Sequence, residues 1–323
     1  MWTLLAILIA CALDWFFGDP PRIPHLVVWI GKLISLLEKE LRAVFPSTPR
    51  GEFCAGVVLV VLTCALPTLL CLLICLLLGL VHPALRMAFE ALVCWQCLAM
   101  RSLEQAGRNV KAALRQSLEA GRKAVGMIVG RDTTQLTEEE VIKATVETVA
   151  ENTADGVVAP LFYMMIGGAP LAVLYKAINT MDSMVGYVVE PYTHFGTAAA
   201  KTDDVANWIP ARLTGLAMVA ATVPAQLSTW GAWHVWLRDR RNHRSPNSAQ
   251  TESACAGALG IQLGGDHVYF GTLVSKPTIG DPLRQPTADD IDRTNTLMIW
   301  TSIIAVLVFS IIHLLVIGAL VCL

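Results

Sequence analysis

Carboxylates, amides and basic side chains recur at helical spacing in three polar stretches of this chain. In TEEEVIKATVETVAENTADG (137–156), Glu140, Lys143, Glu147 and Glu151 follow one face of a predicted helix, with Asp155 a turn beyond if the helix continues. Thr137 with Glu140 fits a capping box that would start it. YKAINTMDSMVGY (175–187) repeats the spacing with Lys176, Asn179, Asp182 and Ser183, and KTDDVANWIPAR (201–212) with Asp203, Asp204, Asn207 and Arg212. Hard oxygen donors of this kind suit Mg²⁺, and an arginine behind them offers a planar fork for phosphate or carboxylate. The plainer readings are a solvated helix face with a Lys143–Glu147 pair, and a helix cap at Asp-Asp-x-x-Asn. What weighs against them is position: the first stretch runs into apolar sequence at Gly156, where carboxylates cost more than in water and call for a metal or cation nearby.

Two further motifs stand at the ends of apolar runs. GDPPRIP (18–24) and GDPLRQP (280–286) share the pattern G-D-P-x-R-x-P. Two prolines fix φ, glycine permits a tight entry, and aspartate bonds the downstream backbone, so the pattern has a purely local use as a rigid helix exit. Its functional reading places Asp19 and Asp281 at the rim of a site. RDRRNHRSPN (238–247) is strongly basic, and its plain role is to hold the chain on the cytoplasmic side. The small residues of ESACAGALGIQLGG (252–265) let a backbone approach another helix or a large flat ligand. There is no G-x-x-x-x-G-K-[ST] loop for a nucleotide, and Cys94-x-x-Cys97 lacks the second pair of a zinc site.

These stretches are positioned by the apolar runs between them. With 54% hydrophobic and only 15% charged residues, the chain is an integral membrane protein; its net charge of −2 excludes nucleic acid as a partner. The clearest spans are Phe53–Val81 and Thr296–Leu323; a third, Leu213–Leu237, is interrupted by Pro224 and Gly231 and closes on Trp230, Trp233 and Trp236. Met1–Leu13, Ala84–Met100 and Gly156–Ile178 are weaker spans, and Ile166-Gly167-Gly168-Ala169-Pro170 should make the last a broken or re-entrant segment instead of a plain span. Leu8-Ile9-Ala10-Cys11 resembles a lipoprotein cleavage box, but no Lys or Arg precedes it, so the segment is expected to stay. Of 24 lysines and arginines, 20 lie in 14–52, 101–143 and 238–293, which puts these segments in the cytoplasm. The expected fold is all-α: one polytopic membrane domain over 1–323, with four to six membrane segments. Cytoplasmic polar segments at about 14–52, 101–155, 179–212 and 238–295 would form the site.

In order along the chain, LDWFFGDPPRIPH, GRDTTQLTEEEVIKATVETVAENTADGVVAPLFY, GGAPLAVLYKAINTMDSMVGY, FGTAAAKTDDVANWIPARLT and HRSPNSAQTESACAGALGIQLGG together resemble the adenosylcobinamide-phosphate synthases of cobalamin biosynthesis. One departure is His25-Leu26-Val27, where that family usually has His-Pro-Val. The resemblance implies a membrane enzyme that uses ATP to join the amine of (R)-1-amino-2-propanol O-phosphate to a propionate carboxylate of adenosylcobyric acid, at the cytoplasmic face of the inner membrane. Such a reaction needs activation of the carboxylate, Mg²⁺ to neutralise phosphates, a base for the amine and a cationic clamp. On this reading Glu147, Asp155, Lys176 and Asp182 form the catalytic set, and Asp182, Asp203 and Asp204 hold the metal. Asp19, His25, Asn152, Asn179, Asn207, Arg212, Arg244, Asn247 and Asp281 bind substrates. Two rival readings are another Mg²⁺-dependent membrane transferase acting on a diphosphate, and a transporter or non-catalytic corrinoid-binding protein.

Overall fold

The computed structural model describes residues 2–20, 22–130, 132–187, 189–265, 267–269, 272–274 and 277–322. Its helices are α1 (Trp2–Phe17), α2 (Leu26–Val44), α3 (Pro49–Val81), α4 (Pro83–Trp95), α5 (Met100–Leu114), α6 (Leu118–Val125) and α7 (Glu138–Thr153). A π-helical turn (Ala154–Val158) leads to α8 (Ala159–Val185), followed by α9 (Thr197–Ala206), α10 (Trp208–Ala221), α11 (Thr229–Asp239), α12 (Ser248–Leu259) and α13 (Asp289–Cys322). Four short strands precede α13: β1 (Leu263–Gly264) pairs antiparallel with β4 (Thr278–Ile279), and β2 (His267–Tyr269) with β3 (Thr272–Val274). Among the described residues, three helical stretches are long and apolar enough to cross a bilayer: Pro49–Val81, Glu138–Val185 and Asp289–Val316. The protein is all-α and polytopic, as its composition requires. The chain divides into two compact units: Met1–Ala99, Ala159–Asn207 and Val308–Leu323 form one, and Met100–Val158 with Trp208–Leu307 the other.

In the first unit, Thr48 caps α3 by accepting the Gly51 N–H, and Pro49 occupies the first turn, where its missing N–H does no harm. Gly56 lets the backbone at Phe195 come close, because a Cβ there would lie 2.1 Å from the Phe195 carbonyl oxygen. Around this contact Ile30, Ile34, Leu59, Met181 and Phe195 make a buried core. The break expected at 166–170 is present. Gly168 has φ 63° and ψ −152°, a conformation open in practice to glycine alone, and Pro170 begins the next helical run.

In the second unit the capping box of α7 forms as expected: Thr137 Oγ1 accepts the Glu140 N–H, and the Glu140 carboxylate accepts the Thr137 N–H at 2.7 Å. Asp155 falls in the π-helical turn rather than in a further α turn. α12 is buried along its whole length, and its small residues let α11 pack closely against it. A Cβ at Gly257 would lie 2.2 Å from the Gly231 oxygen of α11. The span expected over Leu213–Leu237 is not there. Pro224 cannot extend the hydrogen-bond ladder, Gln226 takes φ 56°, and Ser228 caps a new helix through the Gly231 N–H. The resulting α10 and α11, of 14 and 11 residues, reach roughly 21 and 16 Å at 1.5 Å per residue. A hydrocarbon core is about 30 Å thick.

Candidate active site

The first proline turn builds a pocket in the first unit. Gly18, at φ 56°, ends α1 by donating its N–H to the Asp14 carbonyl, while its own carbonyl accepts the Trp95 indole N–H at 3.0 Å. The Gln96 carboxamide then ties the turn to α2, accepting the Leu26 N–H at 2.9 Å and donating to the Pro24 carbonyl. His25 caps α2: its Nδ1 accepts the Val27 N–H at 3.2 Å. With Nδ1 occupied as an acceptor, Nε2 carries the proton of the neutral ring, and Asp19 Oδ1 accepts it at 3.2 Å. Asp19, Arg22, His25, Trp29, Lys32 and Lys176 line a cavity of about 730 Å³. Lys176, on α8, is 8% exposed; its carbonyl accepts the Thr180 hydroxyl, and its ammonium has no hydrogen-bond or ion-pair partner among the described residues. Arg22, Trp29 and Lys32 were not singled out from sequence, although Arg22 is the fifth residue of the G-D-P-x-R-x-P motif.

The other candidates of this unit stand on α8 and at the end of α9. Asn207 caps that helix, its N–H bonded to the Asp203 carbonyl, and is 1% exposed. Its amide donates to Asp203 Oδ2 at 3.0 Å and its Oδ1 accepts the Tyr175 hydroxyl at 2.8 Å, with Tyr163 stacked on Tyr175. Asp204 pairs with Lys201 at 3.2 Å. Asp182 and Asn179 are half-buried on α8, where the Asn179 carbonyl accepts the Ser183 hydroxyl. Among the described residues, no three His, Cys, Asp or Glu side chains converge as a metal cage. One or two carboxylates such as Asp203 and Asp204 suit Mg²⁺ in its usual manner, with substrate phosphates and water supplying the remaining ligands.

In the second unit, α7 presents its acids to α12 and the β1 strand. Glu147 Oε1 accepts the Gly264 N–H at 2.8 Å, and Glu151 Oε1 accepts the Ser248 hydroxyl at 2.6 Å. Lys143 pairs with Glu139 at 2.6 Å instead of with Glu147, because Glu147 is engaged by the tertiary contact and Glu139 stands one turn back. Asn152 bonds the Thr148 carbonyl. Arg212 stacks over Trp208, its guanidinium carbon 4.1 Å from the ring centroid, and reaches Asn247 Oδ1 at 3.4 Å. Desolvation, then the charges of Arg240 and Arg241, lower the Arg212 pKa, a crowding of cations that favours an anion. Arg244 is exposed.

The second proline turn is used differently. Gly280, at φ 82°, approaches Ile261 so closely that a Cβ would lie 2.5 Å from its oxygen. Its N–H donates to Asp239 Oδ2 at 2.8 Å, and Arg238 bridges Asp239 and Asp281. Arg284 forms a two-pronged pair with Asp290, which is fully buried and also holds Arg293 and the Thr287 N–H. Asp281 is thus part of an ion-pair network that ties the turn to α11.

The model of the CobD/Cbib protein family matches residues 7–298, which takes in both turns and every candidate site residue. The chain belongs to this family. The Geobacter metallireducens cobalamin biosynthesis protein CobD is 54% identical over 279 residues, 86% of each chain. The Salmonella arizonae cobalamin biosynthesis protein CbiB is 46% identical over 95% of this chain and 96% of its own. The Streptococcus sanguinis CobD is 45% identical over 97% and 98%. No solved structure matches. In this CobD/Cbib chain the candidate groups are divided between the two units separately described.

Proposed function

We propose that this protein acts in cobalamin biosynthesis as an amide ligase, joining (R)-1-amino-2-propanol O-phosphate to adenosylcobyric acid at the expense of ATP. The product is adenosylcobinamide phosphate. The observation that carries the reading is the family match over 7–298, with relatives named cobalamin biosynthesis proteins along nearly their whole lengths. The concentration of Lys and Arg in 14–52, 101–143 and 238–293 supports a cytoplasmic site on a protein of the inner membrane.

A carboxylate is a poor electrophile, so one of its oxygens must first take an activating group from ATP, and it departs with that group when nitrogen attacks the carbon. The amine reaches the carbon only after its ammonium has lost a proton, which a protein carboxylate must accept. Glu147, Asp155 and Asp182 are the candidates for that base. Lys176, Arg212 and Arg244 hold phosphate or the substrate carboxylate, and Asn152, Asn179, Asn207 and Asn247 orient them. Asp203 and Asp204, neighbours on α9, are the residues that would hold Mg²⁺, which when bound supplies charge neutralisation to the phosphates; Asp182, which does not converge with them as a third ligand, stays a candidate for the base. Asn207 keeps Asp203 in place, since its other end is fixed by Tyr175. The test is to incubate the purified protein with adenosylcobyric acid, aminopropanol phosphate, ATP and Mg²⁺ and follow the corrinoid mass. Product that still forms after any one component is omitted removes that component from the reaction.

A further inference from the structure

Lys176 is an expensive residue to keep where it is. An ammonium taken out of water without a partner loses several kcal/mol unless something compensates it. Here it stands on an apolar helix between Tyr175 and Ala177, both fully buried, and no described side chain neutralises it. What it faces is the cavity behind the first proline turn. That cavity gathers two more cations: Arg22 from the turn, and Lys32 from α2, whose ammonium lies 5.0 Å from the Trp29 ring centroid. Against these three cations the lining holds one carboxylate, Asp19, fixed by the His25 ring. Ile23, Pro24, Val27, Val28, Leu98 and Ala99 make the rest of the wall mainly apolar, which strengthens any charge pairing inside it.

We infer that this cavity is the subsite for a small phosphomonoester bearing an amine, with phosphate on Lys176, Lys32 and Arg22 and the amine toward Asp19. The amine rests on the amide-ligase reading; the phosphate rests on the cavity alone. A dianion is the ligand that three convergent cations fit, and a single acid at one side gives the site a direction. A volume of about 730 Å³ lies in the range of small-molecule pockets. His25 acts here through Asp19: capping α2 with Nδ1 leaves Nε2 to orient that carboxylate.

Calorimetry on the full-length protein in detergent, with neither ATP nor corrinoid present, tests the subsite. Aminopropanol phosphate should bind, and 1-amino-2-propanol should bind on the order of 100-fold more weakly. Affinity should fall below about pH 6, as the phosphate becomes a monoanion. Lys176→Met should lose roughly 10- to 100-fold in affinity, the worth of a charge-assisted hydrogen bond. The same variant should raise the thermal midpoint of the ligand-free protein, because it removes an uncompensated buried charge. Lys32→Gln should weaken binding with the midpoint unchanged. The subsite is overturned if Lys176→Met keeps its affinity, if it lowers the ligand-free midpoint, if Lys32→Gln binds undiminished, or if ATP alone shows the Lys176 dependence. If this binding is seen and no amide forms, the reaction reading fails and the anion subsite stands. If amide forms while Lys176→Met leaves the KM for aminopropanol phosphate unchanged, the subsite fails and the reaction stands.

Discussion

Asp239→Asn removes one charge from the clamp on the second proline turn while preserving shape. Asp239 is 4% exposed and accepts three short hydrogen bonds at 2.8 Å: Arg238 Nε on Oδ1, Arg238 Nη2 on Oδ2, and the Gly280 N–H on Oδ2. Oδ2 takes two donors at 2.8 Å, whereas the second donor on Oδ1, Asn242 Nδ2, is at 3.5 Å, so an asparagine keeps most by placing its oxygen at Oδ2, and its NH₂ then faces Arg238 Nε, donor against donor. One charge-assisted bond is lost outright, worth about 1.5–3 kcal/mol, and the other two weaken to bonds on a neutral acceptor. Arg238 is 43% exposed, so water restores part of its solvation and keeps the total below that of a fully buried pair. The expected destabilisation at neutral pH is about 2–3 kcal/mol. Its pH dependence has a definite sign. Burial pushes the Asp239 pKa up, but the Arg238 and Gly280 hydrogen bonds outweigh it, leaving the folded value below the ordinary 3.8. A carboxyl depressed in this way contributes fully above its unfolded pKa and loses its contribution as pH falls through the folded one. Denaturation of both proteins in detergent should therefore show a full gap from pH 5 to 7 that closes below about pH 4. Asp281→Asn, whose partner contact is 42% exposed, should cost no more than about 1 kcal/mol. A gap that widens toward acid, or equal losses for the two variants, would refute the assignment of Asp239 as the anchor.

Tyr175→Phe strips the hydroxyl that Asn207 Oδ1 accepts at 2.8 Å in a buried setting, and denaturation should show a loss of about 1–3 kcal/mol. Gly257→Ala forces a Cβ to within 2.2 Å of the Gly231 oxygen; overpacking of about 1–3 kcal/mol should exceed the helix-propensity gain of about 1, and a raised midpoint would contradict so close a crossing. Asp182→Ala and Asp204→Ala should cut amide formation on the order of 10² to 10³ with insertion into membranes intact; an undiminished rate removes that residue from the proposed site.

Features written within one or two helical turns could be read directly. The capping box at Thr137 and Glu140, the break at Gly167 and Gly168, and the long apolar helix beginning at Pro49 all depend on neighbours in the chain. At Leu213–Leu237 the signals are also local: the stretch is apolar enough for one span, but Pro224 ends one helix and the Ser228 cap starts another. The small residues around Gly257 left open what packs on them, and only the fold shows that α11 does.

Side-chain partners escaped because a long side chain reaches whatever the fold puts beside it. Local spacing offers Lys143 both Glu139 and Glu147, and the Gly264 amide, 117 residues beyond Glu147, decides between them. The repeated G-D-P-x-R-x-P shows the division most plainly. Its sequence determines a stiff turn entered through a left-handed glycine, and both copies have one. Whether the aspartate then meets a histidine beside a cavity, as Asp19 does, or an arginine in an ion-pair network, as Asp281 does, is decided by the helices packed around each turn. Backbone conformation answers to nearest neighbours, whereas the charge and solvent that a side chain meets are properties of the assembled fold.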